Sequence, residues 1–147
     1  MFEGAIKLSP LFFEIYYLYP HMRQTFQKAE ILKSKRLFEA LISEGDTAKK
    51  FPFVLLWKEV ETEQEFPLQI AFSVGKKRFP KAVDRNRIKR KLREIYRLEK
   101  ADWYPKLNAK YVVLLIYVSK DDLPYQKLES KLKDVFEKFI SSVSEGA

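Results

Sequence analysis

The segment YVVLLIYV, residues 111–118, restricts the fold of this chain more than any other stretch of its sequence. An almost unbroken apolar run of this length is typical of a β-strand that is covered on both faces. After Pro124, apolar side chains return at helical spacing and predict a C-terminal helix. That helical stripe consists of Leu128, Leu132, Val135, Phe136, Phe139, Ile140 and Val143.

The rest of the chain alternates between helical and extended patterns. Residues 34–44 predict a helix that Ser34 caps and Gly45 ends. Residues 51–60 and 68–75 predict two strands, and we expect the acidic connector EVETEQEFP between them to be a solvated hairpin loop. With a basic helix before the apolar run, the elements are ordered helix, strand, strand, helix, strand, helix. This order predicts one compact α/β domain.

The first 21 residues differ in character from the rest of the 147-residue chain. Their aromatic stretch LFFEIYYLYP is too short to span a bilayer, and it lacks the basic lead and the cleavage site of a signal peptide. We expect residues 1–21 to be an extension that is dispensable for folding and activity. The predicted domain begins near Met22 and covers residues 22–147.

The positive charge of the chain is concentrated in one block. The net charge is +8, yet residues 76–97 alone hold eleven lysines and arginines against two acids, so the remainder is close to neutral. Such a block indicates a polyanionic partner, nucleic acid before acidic lipid. The chain has no cysteine and one histidine, which excludes disulfides and thiolate zinc sites. We therefore predict no catalytic residue and no metal site on the protein itself.

Placing residues 84–98 on a helix separates an apolar stripe of Ile88, Leu92 and Ile95 from a cationic face. Asp84 is placed to cap the helix N-terminus. The cationic face is either a solvated surface or a phosphate-binding surface. Phosphate binding is favoured because few acids are present to relieve the repulsion among the cations. The face comprises Asn86, Lys89, Arg90, Arg93 and Arg97, with Arg87 and Lys91 on one flank and Arg85 at the other edge.

Asn86 is the one side-chain amide on this cationic face. It offers a donor and an acceptor to a base edge, a ribose hydroxyl or an ordered water molecule. The alternative is a local hydrogen bond within the first turn of the helix.

The stretch FSVGKKRFPKAVDRNRIKRKLREIYR, residues 72–97, resembles the signature of the bacterial ribonuclease P protein subunit. The likeness rests on a Ser-Val pair at a strand end, a following Ala-Val pair and the triplet Arg85-Asn86-Arg87. It extends more weakly over most of the chain after Met22.

This resemblance implies a fold, a function and partners. The implied fold is an α+β two-layer sandwich of the kind also found in a ribosomal protein. Its small mixed sheet packs with helices and has a left-handed β-α-β crossover through the basic helix. The implied function is that of the protein subunit of ribonuclease P, an endoribonuclease whose RNA subunit cleaves precursor tRNA at the mature 5′ end. Magnesium would be bound mainly by the RNA and the substrate, and the location would be cytoplasmic. An RNA-binding protein of another ribonucleoprotein, such as the ribosome, and a binder of membrane surfaces or acidic proteins are the alternatives.

The resemblance also implies two binding sites. The residues expected to bind RNA are Lys76, Lys77, Arg85, Asn86, Arg87, Lys89, Arg90, Arg93 and Arg97. A cleft between the first helix and the sheet would hold the single-stranded 5′ leader of precursor tRNA, with side chains suited to base stacking. By analogy, the residues chosen for that cleft are Phe38, Ile42, Phe53, Leu55 and Trp57. For each of these five, a place in the hydrophobic core is the alternative.

Overall fold

The computed structural model describes residues 26–145, which form a four-stranded sheet with helices on both faces. The elements in chain order are α1 (Lys35–Glu44), β1 (Asp46–Lys50), β2 (Phe53–Val60), β3 (Leu68–Val74), α2 (Ala82–Trp103), β4 (Lys110–Tyr117) and α3 (Tyr125–Glu145). This mixed sheet packed with helices confirms the predicted fold class. The predicted extension, residues 1–21, and the predicted domain start at Met22 lie outside the described residues.

The ends of two helices follow from the residues that flank them. Ser34 caps α1 by accepting a hydrogen bond from the Leu37 N–H at 3.2 Å, and Gly45 ends that helix as predicted. Pro124 immediately precedes α3, and its carbonyl accepts a hydrogen bond from the Leu128 N–H at 3.1 Å. Local sequence signals are therefore sufficient to place these boundaries.

The apolar run of residues 111–118 supplies most of the central strand β4. This strand pairs antiparallel with β2 and parallel with β3, and β1 lies outside β2, so the strand order is β1-β2-β4-β3. Val113 and Leu115 point into the core on one face, whereas Val112 and Leu114 point into the core on the other. All four side chains are buried, which confirms the prediction of a strand covered on both faces.

The parallel pairing of β3 with β4 requires a crossover connection, and α2 supplies it. The left-handed sense of this crossover stays a prediction. The larger hydrophobic core lies between the sheet and the pair α2 and α3, and a smaller one lies under α1. The sheet therefore separates the basic helix from α1.

One strand was not predicted, and one local prediction is wrong. Residues 46–50, DTAKK, form an edge strand, although their polar side chains gave no strand signal. The acidic connector does not close a hairpin, because β4 lies between β2 and β3 in the sheet. The connector is also only partly solvated, since Gln64 and Phe66 are buried and Gln64 donates to the Tyr111 carbonyl at 3.2 Å.

A buried polar cluster fastens the C-terminal half of α2 to the segment that precedes α1. The Lys100 Nζ donates to both carboxylate oxygens of Glu30, at 2.6 and 2.8 Å, and the Gln27 N–H donates to the same carboxylate at 2.7 Å. The Tyr104 hydroxyl donates to Glu30 at 2.6 Å and lies 2.8 Å from the hydroxyl of Tyr96. Burial lowers the pKa of Lys100, although Glu30 opposes this, and it raises the pKa of both tyrosines well above the ordinary value.

Candidate nucleic-acid interface

The candidate interface is built on α2, which is 22 residues long. The helix begins at Ala82 with Lys81 as its N-cap residue, so the prediction that Asp84 caps it is wrong. Asp84 lies in the first turn, where its negative charge interacts favourably with the helix dipole. Its carboxylate accepts a hydrogen bond from the Arg87 Nη2 at 3.0 Å instead of capping the backbone.

The predicted separation of the two faces of α2 is confirmed. Its apolar stripe is fully buried in the larger core, with Ile88, Leu92 and Ile95 each 0% exposed. The opposite face presents Asn86, Lys89, Arg90 and Arg93, of which only Lys89 is half-buried and the others are exposed. None of these four side chains has a hydrogen-bond or ion-pair partner among residues 26–145. Their polar groups are therefore available to an external ligand.

Arg87, on the flank of this face, is already engaged by two carboxylates. Its Nε donates to Asp122 at 2.8 Å and its Nη2 to Asp84 at 3.0 Å. Lys91 donates to the other oxygen of Asp122, also at 2.8 Å. Partial burial acts to raise the pKa of Asp122, but the hydrogen bonds from Lys91 and Arg87 outweigh it and hold that pKa below its usual value. These contacts tie the loop before α3 to the start of the basic helix.

Arg85 and Arg97 also make contacts within the protein. The Arg85 Nη1 donates to the carbonyls of Phe79 and Pro80, at 2.8 Å each, and so holds the loop that leads into α2. Arg97 pairs with Glu94 one turn earlier, at 2.6 Å, and this hydrogen bond lowers the pKa of Glu94. Both arginines were predicted to bind RNA, and that role stays a prediction.

Lys76 and Lys77 lie in the turn that follows β3, and both are exposed. Arg78, the next residue, donates from its Nη1 to the Val118 carbonyl at 2.7 Å and so links the ends of β3 and β4. The two lysines therefore stand on a fixed turn close to the first turn of α2, as predicted for residues that contact phosphates.

The five residues chosen for the leader cleft do not lie together. Phe38 and Ile42 are on α1, where Phe38 is half-buried and Ile42 is 57% exposed. Phe53, Leu55 and Trp57 point to the opposite face of the sheet and are buried in the core formed with α2 and α3. The prediction that these three residues line the cleft is therefore wrong. Alternate residues of a strand face opposite sides of the sheet, and these three face away from α1.

The β2 residues that face α1 are Val54 and Leu56, which alternate along the strand with Phe53, Leu55 and Trp57. Leu56, Ala71 and Ile116 are half-buried and pack beneath α1, and Val54 pairs with Ile116 on the same face. The strand pattern in the sequence already puts Val54 and Leu56 on one face, but it does not tell which face lies under α1. Only the choice of the aromatic face was mistaken.

Sequence reasoning also missed a second group of cations at the start of α1. Lys33, Lys35 and Arg36 are exposed and have no ion-pair partner among the described residues. The preceding segment runs beside β3, with the Leu32 N–H donating to the Ile70 carbonyl at 3.0 Å. These cations lie outside the basic block of residues 76–97, which is why the charge count did not reveal them.

Residues 26–145 bring no three His, Asp or Glu side chains together in a way that could hold a metal ion. In the same range, no helix is both long and apolar enough to cross a membrane.

Residues 26–140 match the sequence model of the family described as Ribonuclease P. The chain is 32% identical over 113 residues to the ribonuclease P protein component of Symbiobacterium thermophilum, a match that covers 76% of this chain and 92% of that relative. It is 43% identical over 76 residues to the corresponding protein of Chlorobaculum tepidum, covering 50% of this chain and 49% of the relative. The RNase P protein of Staphylococcus aureus has a similar fold, with a TM-score of 0.63 at 23% identity over 75% of this chain and 94% of that one.

Proposed function

The chain belongs to the bacterial ribonuclease P protein family, and from that membership we propose that it acts as the protein subunit of ribonuclease P. In this role it binds the catalytic RNA subunit and the 5′ leader of precursor tRNA, and it assists endonucleolytic removal of the leader. The RNA subunit performs the phosphodiester hydrolysis, and we assign no catalytic residue to the protein.

The observation that carries this proposal is the cationic row of Lys89, Arg90 and Arg93 on α2, which has no ion-pair partner among residues 26–145. Arg90 and Arg93 project away from the core, whereas Ile88 and Leu92 on the opposite side fix the helix to the sheet. Cations at this spacing repel one another by a few tenths of a kcal/mol per pair, roughly, and an acidic neighbour would normally relieve that repulsion. A folded RNA relieves it with phosphates, and the planar guanidinium group binds phosphate oxygens bidentately.

The α1 side of the sheet is the surface that we propose for the single-stranded leader. Phe38 and Ile42 lie one helical turn apart on α1, and Phe38 packs on the same small core as the half-buried Leu56 and Ile116 of the sheet. An aromatic or apolar platform of this kind favours bases that are unpaired and free to stack. Lys33, Lys35 and Arg36 at the start of α1 supply positive charge for the leader phosphates.

Magnesium enters this proposal only through the RNA and the substrate. Because the described side chains offer no cluster of three metal ligands, we assign no metal-dependent step to the protein. The protein instead contributes charge that lowers the repulsion between RNA phosphates, which reduces the magnesium concentration needed for cleavage. The proposed place of action is the cytoplasm, with precursor tRNA as the substrate.

The proposal is tested by adding the purified protein to the cognate ribonuclease P RNA and precursor tRNA at low magnesium. We expect the cleavage rate to rise and the product to begin at the mature 5′ end. The Arg90→Ala/Arg93→Ala variant should stimulate cleavage far less than the matched variant Lys127→Ala/Lys131→Ala, which removes two cations from α3. An unchanged cleavage rate on addition of the wild-type protein would contradict the proposal.

A further inference from the structure

Phe51 differs from the other aromatic side chains of the described residues in being exposed. It is 63% exposed, whereas each of the remaining aromatic residues between 26 and 145 is buried or half-buried. A single exposed apolar side chain is common on protein surfaces and does not by itself mark a site. The position and the surroundings of Phe51 therefore decide whether its ring has a binding role.

The ring is carried on a turn whose backbone is fixed on both sides. Phe51 lies between β1 and β2, which pair in register up to Lys50 opposite Phe53. The Pro52 carbonyl accepts a hydrogen bond from the Val118 N–H at 2.8 Å, and the Lys49 carbonyl accepts one from the Lys138 Nζ at 2.8 Å. A backbone held in this way loses little conformational freedom when a ligand stacks on the ring that it carries.

The strand order gathers positive charge at this end of the sheet. The Val118 N–H donates a hydrogen bond to the Pro52 carbonyl, and the Val118 carbonyl accepts one from the Arg78 Nη1. The turn after β3 and the turn that holds Phe51 therefore flank the same end of β4. The lysines at this end are Lys50, Lys76, Lys77 and Lys120. None of them forms an ion pair with another described residue.

The acidic residues near this end leave the space between the two turns cationic. Asp122 is already paired with Arg87 and Lys91. Asp134 and Glu137 are on α3 and line a groove together with Lys49, Lys50 and Lys138, so the lysines of that groove outnumber its acids. Asp121 is exposed, and its carbonyl accepts the Tyr117 hydroxyl at 2.5 Å.

We propose that Phe51 is a stacking site for an unpaired nucleotide of RNA, with Lys50 and Lys120 positioned to bind its adjoining phosphates. The proposal rests on the proposed function, because it extends the RNA-binding surface from α2 across the end of the sheet. A flat ring at a lysine-rich end of the sheet suits a base attached to phosphates, whereas an apolar partner would need neighbouring apolar surface. The nucleotide belongs either to the leader of precursor tRNA or to the catalytic RNA.

The test compares Phe51→Ala, Phe51→Leu and Phe51→Trp in the reconstituted holoenzyme. Stacking on one base accounts for about tenfold in affinity, so Phe51→Ala and Phe51→Leu should weaken RNA binding by about that factor, and Phe51→Trp should retain it. The control is Leu98→Ala, which truncates another exposed apolar side chain far along α2 and should have no effect. Because the Phe51 and Leu98 side chains are both exposed, all four variants should keep the wild-type melting temperature.

Two arms identify the source of the nucleotide. If it lies in the leader, the loss appears in the Kd for precursor tRNA with a long leader and disappears for a substrate without a leader. If it lies in the catalytic RNA, the loss appears in the Kd for that RNA alone. Wild-type affinity for Phe51→Ala in both arms, or a Leu variant that binds as well as the Trp variant, would overturn the stacking site. Failure of the wild-type protein to stimulate cleavage would instead overturn the proposed function.

Discussion

Replacing Lys100 with methionine is predicted to destabilise the domain by roughly 3–5 kcal/mol, the usual cost of removing one partner from a buried ion pair. Lys100 is 2% exposed and Glu30 is 0% exposed, so the remaining carboxylate has no route to bulk water in the folded state. Methionine keeps the length and apolar volume of the lysine stem but removes the ammonium group. The decrease in the free energy of unfolding therefore measures the loss of the positive charge beside Glu30 and not the creation of a cavity.

Urea unfolding followed by circular dichroism measures this free energy directly. In thermal unfolding, the same loss of free energy should lower the melting temperature by roughly 12–20 °C, at about 4 °C per kcal/mol for a domain of this size. The matched control is Lys133→Met, which removes the cation of a half-buried pair between α3 and Glu99 of α2, 3.2 Å apart. That control should change the free energy of unfolding by less than about 1 kcal/mol.

A double variant separates charge from packing. Glu30→Gln combined with Lys100→Met leaves no buried charge, while the single carbonyl oxygen of glutamine can accept from the Gln27 N–H and its amide nitrogen can donate to the Tyr104 hydroxyl oxygen. We expect this variant to be more stable than Lys100→Met alone. A Lys100→Met protein that matches the Lys133→Met control, or a double variant that is no more stable than the single one, would refute this reasoning.

Three further predictions concern Asn86, Asp122 and the buried tyrosines. Asn86→Ala should lower precursor tRNA cleavage by the holoenzyme, while the salt dependence of RNA binding stays at the wild-type slope; a parallel loss of slope would show that Asn86 acts through phosphates. Asp122→Asn should release Lys91 and leave Arg87 with Asp84 as its one carboxylate partner among the described residues, and so tighten binding to the catalytic RNA in a filter-binding assay, with weaker binding as the contrary result. Because burial raises the pKa of Tyr96 and Tyr104 above 10.0, their contribution to stability is complete below that pH and is lost as pH rises further. In an absorbance titration, these two tyrosines should ionise only when the chain unfolds, and the Tyr96→Phe/Tyr104→Phe variant should lose the delayed phase.

The elements that the sequence predicts well are those whose signal is local. The cap at Ser34, the stop at Gly45 and the stripe of α2 each depend on residues within a few positions of one another. β1 escaped prediction because an edge strand with one solvated side needs few apolar residues. The hairpin was mispredicted for another reason, since strand order is decided by pairings between distant segments.

The candidate site shows the same division between local and distant information. The exposed face of α2 could be derived from helical geometry, and the structure places Asn86, Arg90 and Arg93 on it. The leader cleft could not be assigned correctly, because hydrophobicity alone does not tell which face of β2 lies under α1. The partners of Arg87 were also invisible, since Asp122 is 35 residues away along the chain.

The salt dependence of binding to the catalytic RNA tests most directly whether the cationic face of α2 is an RNA-binding surface. Each phosphate contact adds about one unit to the slope of log Kd against log salt concentration. The Arg90→Ala/Arg93→Ala variant should therefore bind more weakly and lose about two units of slope, whereas Lys127→Ala/Lys131→Ala should keep the wild-type slope. A wild-type slope in the Arg90→Ala/Arg93→Ala variant would contradict the assignment of this face to RNA.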